Sequence, residues 1–378
     1  MLILGIIVGL LVLVILVVLH ELGHAIVAKR NGVVVEEFGI GFPPKAWGKK
    51  LKNGVLFTVN WLPLGGFVKL QGEHDAANKK GDYGAATFWQ KTKILLAGVV
   101  INWVTAVILL TILALTSGIP KIIPDQFSVA SDTQTITSPV VLTGVTNNYP
   151  AQQAGLQKGD QIISLAGEPV NSSQELINDS KQYKGQVVAV EYKRQGEVKT
   201  ASVQLRDTDS AVFGASLGQQ ESLKSTWSAP ITGLVTTLQF TWVTLQGLGE
   251  LVVNFFGGLF GQLSFNEAGR QAASAQLNEA SNSVAGPVGI LGVIFPAATA
   301  AGFEQLVFLA AIISLTLAVM NTLPIPALDG GRWFVTALFK VLKKPLTKER
   351  EEKIHGTGFA VLMLLVVLIT VGDVTKLF

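Results

Sequence analysis

Apolar residues fall in long runs separated by polar stretches, and the runs exceed the strands and amphipathic helices of a soluble domain. Residues 2–28 are almost unbroken Leu, Ile and Val, about 27 positions, enough to cross a hydrocarbon layer with tilt. Three more runs share that character: 94–116, interrupted by Asn102 and a few Thr; 303–323, after Glu304; and 356–371, which is short. A further apolar stretch, 230–265, is broken by many glycines and by Glu250, and reads as an interfacial or re-entrant segment. The pattern predicts an α-helical polytopic membrane protein with four transmembrane helices, assigned to 1–28, 94–118, 303–323 and 356–373.

Between the runs the period changes. In residues 54–71, Val55, Phe57, Val59 and Trp61 alternate on one face, and Leu62-Pro63-Leu64-Gly65-Gly66 supplies a turn. This predicts a β-hairpin, and its apolar character inside the basic loop 29–93 makes it membrane-associated. Residues 119–220 are richer in Gln, Ser, Thr and Asp and read as an inserted α+β domain. Strands are predicted at 140–145 and 161–165, with a short helix and tight turn over 150–160 between them. Ser172-Ser173-Gln174-Glu175 is a capping-box start to a helix. Residues 187–192 and 198–204 flank Gln195-Gly196 as a hairpin. Residues 221–302 complete the region as an interfacial, amphipathic helical segment.

Charge adds an orientation. Lys and Arg number eleven in 29–93, seven in 324–356 and ten in the much longer 119–302. Positive residues collect on the cytoplasmic side, so 29–93 and 324–355 face the cytoplasm and the inserted domain lies outside. The first apolar run is too long for a cleavable signal peptide. The chain is 49% hydrophobic and 15% charged, with a net charge of +3, and no basic tract with interleaved aromatics suggests a nucleic-acid partner. There is no cysteine, so any metal must be held by His and carboxylates.

One place breaks the apolar pattern with chemistry. His20-Glu21-Leu22-Gly23-His24 lies at the end of the first run. Four-residue spacing puts both imidazoles on one helix face, able to chelate one ion, with Glu21 beside them as a general base for water. Ionisable side chains in a membrane helix are costly and point to function. The first and third spans run in the same direction, so a partner for this motif is expected where the third span ends. Asn321-Thr322-Leu323-Pro324-Ile325-Pro326-Ala327-Leu328-Asp329-Gly330-Gly331 lies there. Pro324 and Pro326 stop the helix, and Asp329 would complete three protein ligands with one position open. Taken alone, Asp329 before a Gly pair is equally a plain turn. His74 and His355 lie in polar loops and read as solvated.

These motifs, with an A-G-L-x-x-G-D-x-I pattern at 154–162 that looks like a PDZ domain, resemble the site-2 protease family, most closely its bacterial regulator-of-sigma-factor type. The resemblance implies an intramembrane zinc metalloprotease of the bacterial cytoplasmic membrane, with Zn2+ on His20, His24 and Asp329 and Glu21 as base. It also implies that Asn321 lies near substrate. Gly65-Gly66-Phe67-Val68-Lys69 resembles a family G-G-Y-V-K stretch, with Phe67 for the usual Tyr, and 285–290 resembles a family G-P segment. Substrates would be single-pass membrane proteins already trimmed outside, such as an anti-sigma factor, or signal-peptide remnants, met among membrane lipids. An unwound substrate could add a strand to the hairpin edge at Gly65, Gly66 and Phe67, or the hairpin could merely pack on the bundle. The inserted domain could bind a trimmed chain end or exclude bulky substrates. A catalytically silent adaptor and a transporter remain as rival readings.

Overall fold

The computed structural model describes the chain except Gln195, Phe265 and Phe378. Gln195 of the expected hairpin turn and Phe265 at the end of the stretch 230–265 therefore lie outside the described residues. Two compact units result, one of Met1–Leu113 with Ala229–Phe378 and one of Ala114–Ser228.

The first unit begins with α1 (Leu2–Arg30), 29 residues and about 44 Å long. Its Leu, Ile and Val side chains favour helix here because lipid offers the backbone no other hydrogen-bond partner. Lys29 and Arg30 fill the last turn, and Asn31 ends it, its Nδ2 donating to the Val27 carbonyl at 2.8 Å. Strands β1 (Val35–Lys50) and β2 (Leu56–Leu70) follow and pair antiparallel with repeated register shifts. The hairpin expected at 54–71 does not form, because both of its arms pair with β1 and not with each other. Residues Glu37 to Ile40 lie between two tracts of β2, partnered by Lys69 to Gly66 on one side and by Leu56 to Val59 on the other. Residues 45–50 then pair back on 56–60. Leu62 to Gly66 is a bend within β2 rather than a hairpin turn. At the far end Trp47 and Trp61 are exposed, at 52% and 71%, amphipathic rings suited to a membrane boundary. α2 (Phe88–Leu115) opens on a capping box: Gln90 N–H donates to Thr87 Oγ1 and Thr87 N–H to Gln90 Oε1.

The second unit holds β3 (Ile119–Pro120), β4 (Gln134–Thr137), β5 (Val140–Val145), α3 (Pro150–Gln153), β6 (Gln161–Leu165), β7 (Glu168–Pro169), α4 (Ser173–Gln182), β8 (Val187–Arg194), β9 (Glu197–Gln204), β10 (Ala215–Gly218) and β11 (Glu221–Lys224). One sheet runs β10-β5-β6-β8-β9 with β7 on β6, and a smaller one runs β3-β11-β4. Fully buried Leu142, Leu165, Leu176 and Val190 centre its core, each aliphatic side chain worth about 1.5–3 kcal/mol. Half of the expected capping box forms, Glu175 N–H donating to Ser172 Oγ, while Glu175 Oε2 accepts from Asn171 N–H, one residue before the cap. Arg194 clamps Asp160 with two bonds of 2.6 Å.

The chain returns to the first unit through α5 (Ala229–Gly261), α6 (Glu267–Asn282), α7 (Pro287–Gly289), a π-turn at Ile290–Ile294, α8 (Phe295–Ala301), α9 (Phe303–Met320), α10 (Asp329–Val341) and α11 (Lys348–Leu377). Three expectations meet a different structure here. The stretch read as broken, interfacial or re-entrant is one continuous helix of 33 residues. Glycine weakens a helix in water, but three of these serve packing: Gly257, Gly258 and Gly261 face Gln276, Leu277 and Ala273 of α6. Among the described residues five helices, not four, are long and apolar enough to cross a membrane: α1, α2, α5, α9 and α11. The bent pair Glu267–Asn282 and Pro287–Ala301 could add a sixth crossing. The segment 324–355, read as a loop, contains the 13-residue α10.

In the second unit Asp132 gathers the chain near its end, accepting from the N–H and hydroxyl groups of Thr226 and Ser228. Burial pushes its carboxyl up, but these bonds outweigh it and hold the pKa at about 2. A folded-state pKa below the unfolded value of about 3.9 gives stability that is complete above that value and lost as pH falls toward 2. Asp132→Asn should therefore lower thermal stability at neutral pH and flatten its dependence between pH 4 and 2, read by thermal melts across that range; identical acid profiles would refute the assignment.

Candidate active site

The site forms where α1, α2 and the start of α10 meet. Helical spacing brings His20 and His24 to one face of α1, their ring centroids 4.8 Å apart and both residues 7% exposed. His24 Nδ1 lies 2.7 Å from the Ile94 carbonyl. Its proton is thereby assigned to Nδ1, and the lone pair of Nε2 faces inward. His20 Nδ1 is buried without a hydrogen-bond partner.

The third group arrives from far along the chain. α9 ends at Met320, and Asn321 caps it, donating its side-chain amide to the Leu317 carbonyl at 3.0 Å. The Asn321 carbonyl then accepts from Gly330 N–H at 2.7 Å, folding the start of α10 back onto the end of α9. Gly330 and Gly331 are required for that fold: a Cβ on either would strike the backbone of residues 322–326. Ala327 takes a φ of 84°, and its N–H donates to His355 Nδ1 at 3.2 Å. His355 is thus a prop for this loop rather than the solvated residue the sequence suggested.

Asp329 consequently opens α10 with its carboxylate directed at the imidazoles. Its Oδ2 lies 2.9 Å from His20 Nε2 and 3.3 Å from His24 Nε2, and the two Nε2 atoms are 3.2 Å apart. Tetrahedral zinc with ligand bonds of about 2.0–2.1 Å needs donors separated by about 3.3 Å. The donor set therefore fits zinc in chemistry and in spacing. Converging lone pairs and a carboxylate, taken out of water, call for a cation between them. α2 leaves room for it: a Cβ on Gly98 would fall 2.5 Å from His24 Nε2 and 2.6 Å from His20 Nε2.

The other expected residues divide. Glu21 lies against β2, receiving a hydrogen bond from the Val68 backbone, and a Cβ on Gly66 would come 3.7 Å from its Cγ. Gly65 also approaches α1, near Val17. Phe67 instead lays its ring over Gly39. Among the described residues no strand pairs with the side of 66–70 away from β1.

A polar network behind α10 was missed. Arg332 donates to the Glu73 carbonyl, lies 3.6 Å from Glu351 and stacks 4.8 Å from the Tyr83 ring centroid. Glu351 accepts from Asp75 N–H at 2.8 Å, Asp75 pairs with Lys91 at 2.5 Å, and Trp333 donates to Thr92 Oγ1 at 3.0 Å. The signal available was Arg332 itself, one turn after Asp329. The His74 side chain pairs with Glu352 at 3.6 Å.

The profile of peptidase family M50 matches residues 8–365. A zinc metalloprotease named RasP from Geobacillus kaustophilus is 28% identical over 446 residues, covering 96% of each chain. The regulator of sigma-W protease RasP of Bacillus subtilis is 26% identical over 447 residues, again 96% of each. A provisionally named zinc metalloprotease of Clostridium perfringens is 32% identical over 359 residues, 95% of each. The PDZ domain of an SdrC-like protein from Listeria monocytogenes is 27% identical, covers 24% of this chain and 93% of its own, and has a TM-score of 0.19.

Two outcomes follow from the geometry. Gly98→Ala should displace the imidazoles and lower bound zinc at least tenfold, measured by elemental analysis; full metal occupancy would mean that α2 yields easily. Arg332→Gln should weaken zinc retention about tenfold in chelator competition, and unchanged retention would restrict the network to stabilising the 73–83 loop.

Proposed function

The chain belongs to peptidase family M50, and from that membership we propose how its residues carry out intramembrane zinc-dependent proteolysis. It is a zinc metalloendopeptidase. His20, His24 and Asp329 hold the metal, a reading carried by the convergence of their donor atoms within 4.8 Å. When bound there, zinc polarises the scissile carbonyl and makes water acidic enough to deprotonate near neutral pH.

The remaining work falls to side chains. Glu21 accepts a proton from the attacking water and returns it to the leaving amide nitrogen. Its neighbour Val68 lies on the unpaired edge of 66–70, and an unwound substrate adds to that edge as a further strand. Gly65 and Gly66, lacking side chains, let the strand lie close to α1, and Phe67 stiffens it by covering Gly39. Asn321, at the junction of α9 and α10, faces the same substrate.

Substrates are single-pass membrane proteins whose helices must unwind to expose a peptide bond. The Bacillus subtilis relative's name supports an anti-sigma factor as one class, and signal-peptide remnants share the needed form. The enzyme sits in the bacterial cytoplasmic membrane with 29–93 and 324–355 on the cytoplasmic side and the PDZ-like unit outside, as the Lys and Arg bias supports. That unit admits trimmed substrates and holds their new ends weakly.

Asp329 can meet His20 only if α1 and α9 end on the same face. A crossing by α5 must then be reversed before α9, and the bent pair 267–301 supplies the return. This gives six crossings.

Glu21→Gln should reduce cleavage of a transmembrane substrate in detergent by at least a thousandfold while zinc remains bound. His20→Ala and Asp329→Ala should lose both metal and activity. Residual hydrolysis near the wild-type rate in Glu21→Gln would sink the assigned proton transfer.

A further inference from the structure

We propose that α10 and the cavity beside its C-terminal end bind the headgroup of an anionic phospholipid in the leaflet nearest the active site. The inference goes beyond proteolysis, and rests on that reading only in taking the surroundings of α10 to be a membrane surface.

Phe334, Leu338 and Val341 of α10, with Leu342 capping its end, share one arc at 45%, 40%, 77% and 51% exposure. The adjoining arc, with Val335 and Thr336, is buried against the protein. A short helix with one packed face and one bare apolar face has the form of an interfacial anchor. Trp89, at the start of α2, is 70% exposed and marks the same boundary.

The charge is complementary to one lipid class. A cavity of about 520 Å³ opens between Phe88, Phe339, Leu346 and Thr347, with Lys340 and Lys344 on its wall. Lys340 Nζ lies 4.1 Å from the Phe88 ring centroid. Among the described residues no carboxylate pairs with Lys340, Lys343 or Lys344, whereas Lys91 at the back of the cavity is neutralised by Asp75. Lys343 closes the helix at a φ of 51°, a place glycine usually takes, and Lys344 N–H donates to the Phe339 carbonyl at 3.1 Å. That turn carries Lys344 round to the cavity where Lys340 already stands. A phosphodiester between the two ammonium groups, with its acyl chains along Phe334 and Leu338, satisfies both the charge and the bare face.

Native mass spectrometry of the full-length protein in detergent, titrated with dioleoylphosphatidylglycerol or dioleoylphosphatidylcholine, tests this. Each lysine near a lipid phosphate is worth about fivefold in binding, so K340Q/K344Q should bind phosphatidylglycerol about 25-fold more weakly. Phosphatidylcholine binding and zinc content should not change, and K340R/K344R should restore the lipid. Equal phosphatidylglycerol binding by wild type and K340Q/K344Q overturns the proposal, as does displacement of the lipid by inorganic phosphate, which would make this a site for a soluble anion. Zinc content and cleavage in neutral lipid, measured on the same samples, report on the peptidase reading separately.

Discussion

Two imidazoles and a carboxylate from positions 309 residues apart come within 2.9–3.3 Å of one another, and the bundle is organised around that approach. Desolvated donors of this kind are unfavourable without a cation, so an ion held there, as proposed, would bind the two ends of the chain together. Missing side chains make the approach possible. Gly23 lets α1 lie on the Ala97 carbonyl, Gly98 leaves space beside the rings, and Gly330 with Gly331 lets α10 turn back on the end of α9. A methyl group at any of these meets backbone or a ligand ring, so steric exclusion and coordination enforce the same geometry.

The chemistry was legible because its spacing is local. His20 and His24 must share a face on any helix, and a run of aliphatic residues leaves no doubt about the helix. Asp329 was legible for a coarser reason, the shared direction of the first and third spans. β1 was not: Pro43-Pro44 and the lysines at 45, 49 and 50 read as loop, and the pairing that makes it a strand comes from residues 56–70. Glycine misled the reading of α5, because its helix cost is set in water, whereas these glycines pack against α6. His355 looked solvated among polar neighbours in sequence. What it holds is the N–H of Ala327, whose positive φ no sequence pattern announces. α10 was hidden by the prolines before it, although its apolar positions at 334, 338, 341 and 342 carry helical spacing.

Asp329 and the loop after β2 form one mechanical piece. Arg332 stands one turn from Asp329 and reaches Glu73, Tyr83 and Glu351, which belong to the loop after β2 and the start of α11. Asp75 and Lys91 extend the chain of charges to α2. A displacement of the loop would therefore reach the carboxylate through a single helical turn. The proposed lipid site lies at the other end of the same 13-residue helix, about 18 Å from Asp329. A rigid helix of that length transmits a tilt at its C-terminal end to the carboxylate at its start.

One demand governs the substrate side. The strand 66–70 has backbone N–H and C=O groups that no neighbouring strand takes up, and in hydrocarbon each would cost several kcal/mol. Val68 resolves one of them by donating to Glu21. A second, Leu70 N–H, donates to Glu73 Oε1 at 3.3 Å, and only the groups left over call for water or an incoming strand. A wet cleft meets the demand when the enzyme is empty and also supplies the water that hydrolysis consumes. In the proposed binding mode a substrate strand would meet it instead, and the substrate's own unwound backbone, equally costly in lipid, would be satisfied by the same bonds. On that proposal the open edge would favour a partner with unpaired backbone, which a substrate helix acquires only after it has unwound.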